Sequence, residues 1–478
     1  MTLFSVPTRR QFLASNALGM GSVALAWLLQ QDRLLAAPHM PREDRKFDLT
    51  AKTPHAPAKA RAMISMFMHG GPAHMDLLDP KPELTKHSGQ DYSGEVVYSF
   101  VNRASKKLFG SPWKFAKHGQ CGTEVSELLP HLAGIVDDIA VVRSMHTDIN
   151  GHEPSIWFMN TGKAQPGRPA LGSWLTYGLG SESQDLPAYV VLSDPGGHPV
   201  DGVRNWSNGW LPPLYQGTVI RPREPRILNL DPPAHLRGQR QAENLALLAD
   251  LNRQHLARHP HEADLEARIA SYELAARMQS AAKEALDIST ESEATRKLYG
   301  IEEPDTTEYG TRCLIARRLV ERGVRFVQLF MGGQPWDNHT NIRETLPGIC
   351  RRTDKPAAAL VADLKARGLL DSTLVHWGGE IGRLPVTEGE GAQCGRDHNG
   401  QGFSMWLAGG GIKGGITYGQ TDEVGHRAAV DPVSPNDYQA TLLHLFGMDH
   451  TKLAYHYNGQ EQKVTDNRPC RVVNELLA

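Results

Sequence analysis

Val324-Arg325-Phe326-Val327-Gln328-Leu329-Phe330 runs directly into Met331-Gly332-Gly333-Gln334-Pro335-Trp336-Asp337-Asn338-His339, and this junction decides the fold. A short apolar run with β-branched residues predicts a buried strand, and the Gly-Gly-x-Pro after it predicts a turn. The far side of that turn carries an acid and an imidazole.

The same order recurs along the chain. Met63 to Met68 leads into His69-Gly70-Gly71-Pro72-Ala73-His74-Met75-Asp76, Ile139 to Val142 into Arg143-Ser144-Met145-His146, and Thr373 to Trp377 into Gly378-Gly379-Glu380-Ile381-Gly382-Arg383. Two more runs, Tyr189 to Leu192 and Phe403 to Leu407, complete the set, and helical stretches such as Thr353 to Arg367 separate most of them. The pattern predicts the α/β class, with a largely parallel sheet covered on both faces. Ligands of open α/β sheets bind in the crevice at the carboxyl ends of the strands. Four strand ends carrying Gly, His, Asp and Glu therefore point to one shared site.

Composition supports a site rich in imidazole. Histidines number 21 in 478 residues, and many lie beside Gly, Asp or Asn, a setting that suits metal ligation from loops. The net charge of −2 gives no electrostatic case for nucleic acid or an anionic membrane. Five cysteines, Cys121, Cys313, Cys350, Cys394 and Cys470, show no C-x-x-C spacing, so they build neither a zinc finger nor a disulfide scaffold.

The N-terminus reads as an address. Thr8-Arg9-Arg10-Gln11-Phe12-Leu13-Ala14, a weakly apolar stretch from Ala17 to Leu29, and Leu35-Ala36-Ala37-Pro38 make a twin-arginine export signal over residues 1–37. Its apolar core is too short for a span that needs ~20 residues. The expected location is periplasmic or extracellular, with no integral membrane segment in the mature chain. Residues 38–60 read as a linker or arm, charged and Pro-rich from Pro41 to Lys59, and 61–478 as the folded domain. Within that domain, about 239–299 reads as an inserted helical hairpin, with Leu265, Ile269, Tyr272 and Ala276 on one apolar face.

His152-Glu153-Pro154-Ser155-Ile156-Trp157-Phe158-Met159-Asn160-Thr161-Gly162 resembles the nucleophile helix of the alkaline phosphatase superfamily, which includes sulfatases and nucleotide phosphodiesterases. In that frame the nucleophile opens a helix, Pro lies two residues on and Thr-Gly closes it. Here His152 stands in the nucleophile position. A helix start suits an anionic ester, because unpaired N–H groups and the helix dipole favour negative charge there.

More closely, the chain resembles an exported bacterial family loosely labelled sulfatases, the domain of unknown function 1501. The resemblance runs through His69 to Pro82, Arg143 to Thr147, Gly167 to Trp174, Trp336 to His339, Gly379 to Arg383, Gly395 to Asn399, Gly409 to Gly415 and Asp437 to Asp449. It implies an alkaline-phosphatase-like three-layer α/β/α sandwich and one or two divalent cations held by Asp and His. Carried over residue by residue, it places Asp337, His339 and His398 at one metal. Glu380 stands where a second metal's Asp is expected, and His69 or Asp76 where the first strand supplies its acid. Ligands of these types suit Zn²⁺, Mn²⁺ or Fe²⁺ before Ca²⁺.

Two departures matter. The superfamily's Asp-His pair reads Glu380-Ile381 here, and its Asp-x-x-x-His is shortened to Asp337-Asn338-His339. The C/S-x-P-x-R string of formylglycine sulfatases occurs only as Ser5-Val6-Pro7-Thr8-Arg9, inside the leader. Three catalytic routes stay open: His152 as nucleophile or general acid–base group, Ser155 as nucleophile with His152 as its base, or water activated at the metal. Arg143, Arg383 and Arg396 are candidate clamps for sulfate or phosphate oxygens. The expected function is metal-dependent hydrolysis of a small-molecule or glycan sulfate or phosphate ester. The alternative is a non-catalytic exported binding or scaffold protein that retains the fold.

Overall fold

A computed structural model describes residues 47–478 apart from 100–102, 104 and 260–262. The export signal and the first part of the arm lie outside the described residues. From Phe47 onward the chain forms one compact unit.

Eight strands make the central sheet: β1 (Ala62–Phe67), β2 (Ile139–Met145), β3 (Tyr189–Leu192), β4 (Thr218–Ile220), β5 (Phe326–Leu329), β6 (Thr373–Gly378), β7 (Phe403–Ala408) and β8 (Ile416–Tyr418). Their order across the sheet is β8-β2-β7-β6-β1-β5-β3-β4. Strand β7 runs antiparallel to both neighbours, β2 and β6, and the other pairings are parallel. The largely parallel sheet expected from the apolar runs is present. The two three-residue strands β4 and β8 gave no such run, and the reversed direction of β7 has no counterpart in composition.

Period-two alternation along β1 divides the interior in two. Ala62, Ile64 and Met66 join one core, with α5 (Thr307–Glu321) and α6 (Ile342–Ala366). Met63 and Phe67 join the other, with α1 (His152–Thr161), α2 (Leu171–Leu179) and α7 (Pro435–Leu445). Helices therefore cover both faces, which makes three layers.

Two further helices, α3 (Gln239–Arg258) and α4 (Ala263–Leu286), occupy the stretch read as a hairpin. The apolar face read from spacing is corrected in part, because Tyr272 is exposed while Ala267, Met278, Ala282 and Ala285 are buried. All five cysteines are free. Among the described residues no helix is long and apolar enough to cross a membrane.

Candidate metal centre

Strands β1, β5 and β6 lie side by side at the middle of the sheet, so the loops after them meet at its carboxyl edge. Strand β7 is antiparallel to β6 and begins at that same edge. This is why His398, which precedes β7, arrives beside residues that follow β1, β5 and β6.

The first loop is drawn tight. Gly70 has φ +113, and a Cβ there would lie 2.7 Å from Asp337 N, so only glycine lets the two loops touch. Gly70 N donates to Glu380 Oε1 at 3.0 Å, which ties the ends of β1 and β6 together. The helix bearing His152 starts at extended Gly151 and carries Pro154 in its first turn, where a missing N–H breaks no intrahelical bond. It ends at left-handed Gly162, where a side chain would collide with Val464 O at 1.7 Å.

Four side chains converge. Asp337 Oδ1 lies 3.4 Å from His152 Nε2, 3.0 Å from His339 Nε2 and 3.2 Å from His398 Nε2. His339 Nε2 and His398 Nε2 are 2.9 Å apart. All four ligand atoms fall within 4.8 Å of one another, so the cluster can hold a metal ion.

Each imidazole is held from behind through its other nitrogen. His152 Nδ1 is 2.7 Å from Glu380 Oε1, His398 Nδ1 is 2.7 Å from Asn150 O, and His339 Nδ1 meets Glu388 Oε2. An Nδ1–H bonded to each of these oxygens leaves three Nε2 lone pairs directed at one point. Two lone pairs only 2.9 Å apart repel unless a proton or a cation lies between them. Three imidazoles and one carboxylate are a donor set for Zn²⁺, Mn²⁺ or Fe²⁺.

Without a cation the two carboxylates favour a proton on His152, in the place where a metal would compete for its Nε2. Burial lowers the His152 pKa, yet the Asp337 and Glu380 carboxylates outweigh it and carry the ring up to about 9. Burial holds His398 and His69 below the usual imidazole value. Burial would raise Asp337, but hydrogen bonding from the three histidines holds its carboxyl far below the carboxylate range.

His69 stands at the margin of the cluster. Its ring centroid is 6.2 Å from that of His152, its Nδ1 is 2.5 Å from Gly333 O, and its buried Nε2 has no hydrogen-bond partner. Glu380 is fully buried and engaged with His152 and Gly70 N.

The other nominees are placed differently. Asp76 is turned away from the cluster, because Arg396 donates to both of its oxygens, at 2.7 and 3.1 Å. That pairing also removes Arg396 as an anion clamp. Arg383 is fully buried and donates to Gly71 O, Arg396 O and Asp337, so it braces loops rather than facing a ligand. Arg143 reaches Glu124 O at 3.4 Å and lies 3.7 Å from Asp79. Ser155 is buried and donates to Ile149 O at 3.1 Å rather than to His152.

Sequence reasoning missed Glu388 and Asn150. Glu388 sits in Thr387-Glu388-Gly389-Glu390-Gly391, which reads as a solvated loop, and a backbone carbonyl such as that of Asn150 leaves no trace in residue type.

A search of curated proteins finds no match. Among solved structures, the chain is similar to a phosphonate monoester hydrolase, SpPMH from Silicibacter pomeroyi, at 11% identity over 73% of this chain and 71% of that one, TM-score 0.34. It is also similar to the lipoteichoic acid synthase LtaP from Listeria monocytogenes, at 9% identity over 87% and 78%, TM-score 0.34. A third, the PsFucS1 sulfatase from Pseudoalteromonas sp., matches at 12% identity over 67% and 62%, TM-score 0.33. Likenesses this distant do not say what this chain acts on. A family model, by contrast, matches nearly all of the described residues, from 60 to 477, and the chain belongs to that family, described as Protein of unknown function (DUF1501).

Proposed function

We propose that this protein is a metal-dependent hydrolase of sulfate or phosphate esters that works outside the cytoplasm after export through its twin-arginine leader. The observation that carries the reading is the convergence of His152, His339 and His398 Nε2 with Asp337 Oδ1, each ring held through its Nδ1. A divalent cation held by His152, Asp337, His339 and His398 would supply Lewis acidity toward an ester oxygen and a water of lowered pKa.

The chain's own groups do the rest. Asp337 supplies the negative charge that balances a cation. Arg383, donating to Asp337, keeps that carboxylate oriented. The start of α1 beside His152 offers unpaired N–H groups and a positive dipole end to an anionic ester. Of the three catalytic routes, Ser155 is disfavoured by its bond to Ile149 O, and His152 acts as a ligand rather than as the attacking group. The formylglycine string occurs only inside the leader, so that route is not part of the proposal.

The test is turnover of aryl phosphate and aryl sulfate esters by the full mature chain supplied with Zn²⁺, Mn²⁺ or Fe²⁺. Hydrolysis that a chelator abolishes and metal restores is expected, and folded, metal-loaded protein inert on both esters contradicts the proposal. A second reading, an exported binding or scaffold protein, is favoured by one observation: Arg143, Arg383 and Arg396 are all engaged with the protein itself. Exchange of His152 and Asp337 for Ala separates the two, since loss of turnover supports the enzyme and loss of glycan binding with no turnover to lose supports the module.

A further inference from the structure

His339 is held between two acids. Its Nε2 faces Asp337 Oδ1 at 3.0 Å, and its Nδ1 meets Glu388 Oε2 on the opposite side of the ring. Glu388 is only 2% exposed, although the sequence around it has the composition of a surface loop. The backbone explains how it is kept there. Glu388 N donates to Gly395 O at 2.8 Å and Gly395 N returns to Glu388 O at 3.0 Å, while Thr387 N donates to Lys107 O at 2.9 Å.

A buried carboxylate is costly unless its oxygens are used. Among the described residues Glu388 Oε1 has no hydrogen bond and lies 3.7 Å from Arg103, so the contact with His339 is the direct hydrogen bond its side chain makes there. Asp397 lies on the same side, but its oxygens already accept from His398 N at 2.7 Å and Ser99 N at 2.6 Å, and it stays 3.8 Å from His339 Nδ1. Glu388 is therefore the group placed to choose which nitrogen of His339 carries the proton.

We infer that Glu388 is a positioning residue for the metal centre: by accepting the Nδ1 proton of His339 it fixes the tautomer whose Nε2 lone pair faces Asp337 and His398, and it makes that ring a stronger donor. The inference rests on the metal reading above. Outer carboxylates of this kind are worth about 10–100-fold in metal affinity.

The experiment uses the full chain, wild type beside Glu388→Gln and Glu388→Ala, with two readouts. Imidazole ¹⁵N–¹H correlation spectra report the His339 tautomer with or without metal, and Co²⁺ titration reports affinity and ligand-field bands. Wild type is expected to show His339 protonated at Nδ1 and to bind one Co²⁺. Glu388→Ala should mix the tautomers, weaken binding about 10–100-fold and shift the bands, with Glu388→Gln between the two. If both variants keep the wild-type tautomer and affinity, the inference is overturned while the metal reading stands. If wild type binds no Co²⁺ but the Ala variant loses the Nδ1–H tautomer, the metal reading falls and takes the metal half of the inference with it, leaving Glu388 only as the group that sets the His339 tautomer. An unchanged tautomer in a protein that binds no metal removes both. Should the Ala variant fail to fold, Glu388→Gln alone decides on the same criteria.

Discussion

Asp76 with Arg396, fully buried, and Asp337 with its three histidines, partly buried, are constellations that the sequence nominates on the same grounds, acid and base at strand ends, yet they do opposite things. The first closes on itself. Arg396 donates to both oxygens of Asp76, to Phe109 O at 2.8 Å and to Leu384 O at 3.4 Å, and its guanidinium lies 4.5 Å from the Phe109 ring centre. The second stays open, with imidazole nitrogens gathered against one another and a single carboxylate oxygen shared among them. A closed pair spends its polarity on holding loops, whereas the open one leaves ligand atoms that could hold a metal ion. Residue type makes a candidate; what its neighbours leave unsatisfied makes a site.

The largest expected effect falls on the closed pair. Asp76→Ala strands a fully buried guanidinium, and breaking such a pair costs about 3–5 kcal/mol. A drop of that size in denaturant unfolding, with the protein that remains folded still binding metal, supports the division. Metal affinity lost at unchanged stability breaks it.

His339→Ala should behave the other way. It removes one of four converging donors, so metal affinity should fall by more than the ~10–100-fold of an outer-sphere change, while metal-free stability falls by about 1–3 kcal/mol because the buried Glu388 loses its hydrogen bond. Calorimetric metal titration beside urea unfolding checks both halves, and a variant that binds like wild type removes His339 from the centre.

Another buried histidine sharpens the contrast. His376 in β6 lies 3.0 Å from Ser65 Oγ, and burial pushes its pKa down to about 3. The unfolded chain, with an imidazole pKa of about 6.5, takes up the proton that the folded chain refuses. Stability from His376 is thus complete above pH 6.5 and drains away as pH falls toward 3. Substituting His376→Gln should flatten the acid side of the stability profile by about one proton, with metal binding untouched; an unaltered slope contradicts the assignment.

The smallest effect concerns Ser155. Its hydroxyl is spent on Ile149 O, so Ser155→Ala should cost about 1 kcal/mol and leave ester hydrolysis within about twofold. A collapse in turnover at retained fold would return Ser155 to the role of nucleophile.

How much of this could be read beforehand follows from the physics of each signal. Apolar runs such as Val324 to Phe330 announce strands because burial needs contiguous apolar residues, and glycines after them announce the loops. Edge strands of three residues, Thr218–Ile220 and Ile416–Tyr418, bury too little to write such a pattern. For the site, His152, Asp337, His339 and His398 stand out by type and position and the fold brings their ligand atoms together, whereas Glu380 lies behind His152 and not among them. Asp76, Arg383 and Arg396 qualify on the same terms, yet their side chains are engaged with the protein itself, because pairing depends on three-dimensional neighbours. Glu388 was invisible for the reverse reason: a glutamate among glycines looks solvated until a backbone bridge to Gly395 buries it.

The most direct test is stoichiometric titration of the folded, metal-free full chain with Zn²⁺ or Mn²⁺, wild type beside His398→Ala. The account predicts one tightly bound equivalent in the wild type and its loss in the variant. Folded wild-type protein that takes up no metal, or a His398→Ala chain that binds equally well, would contradict it.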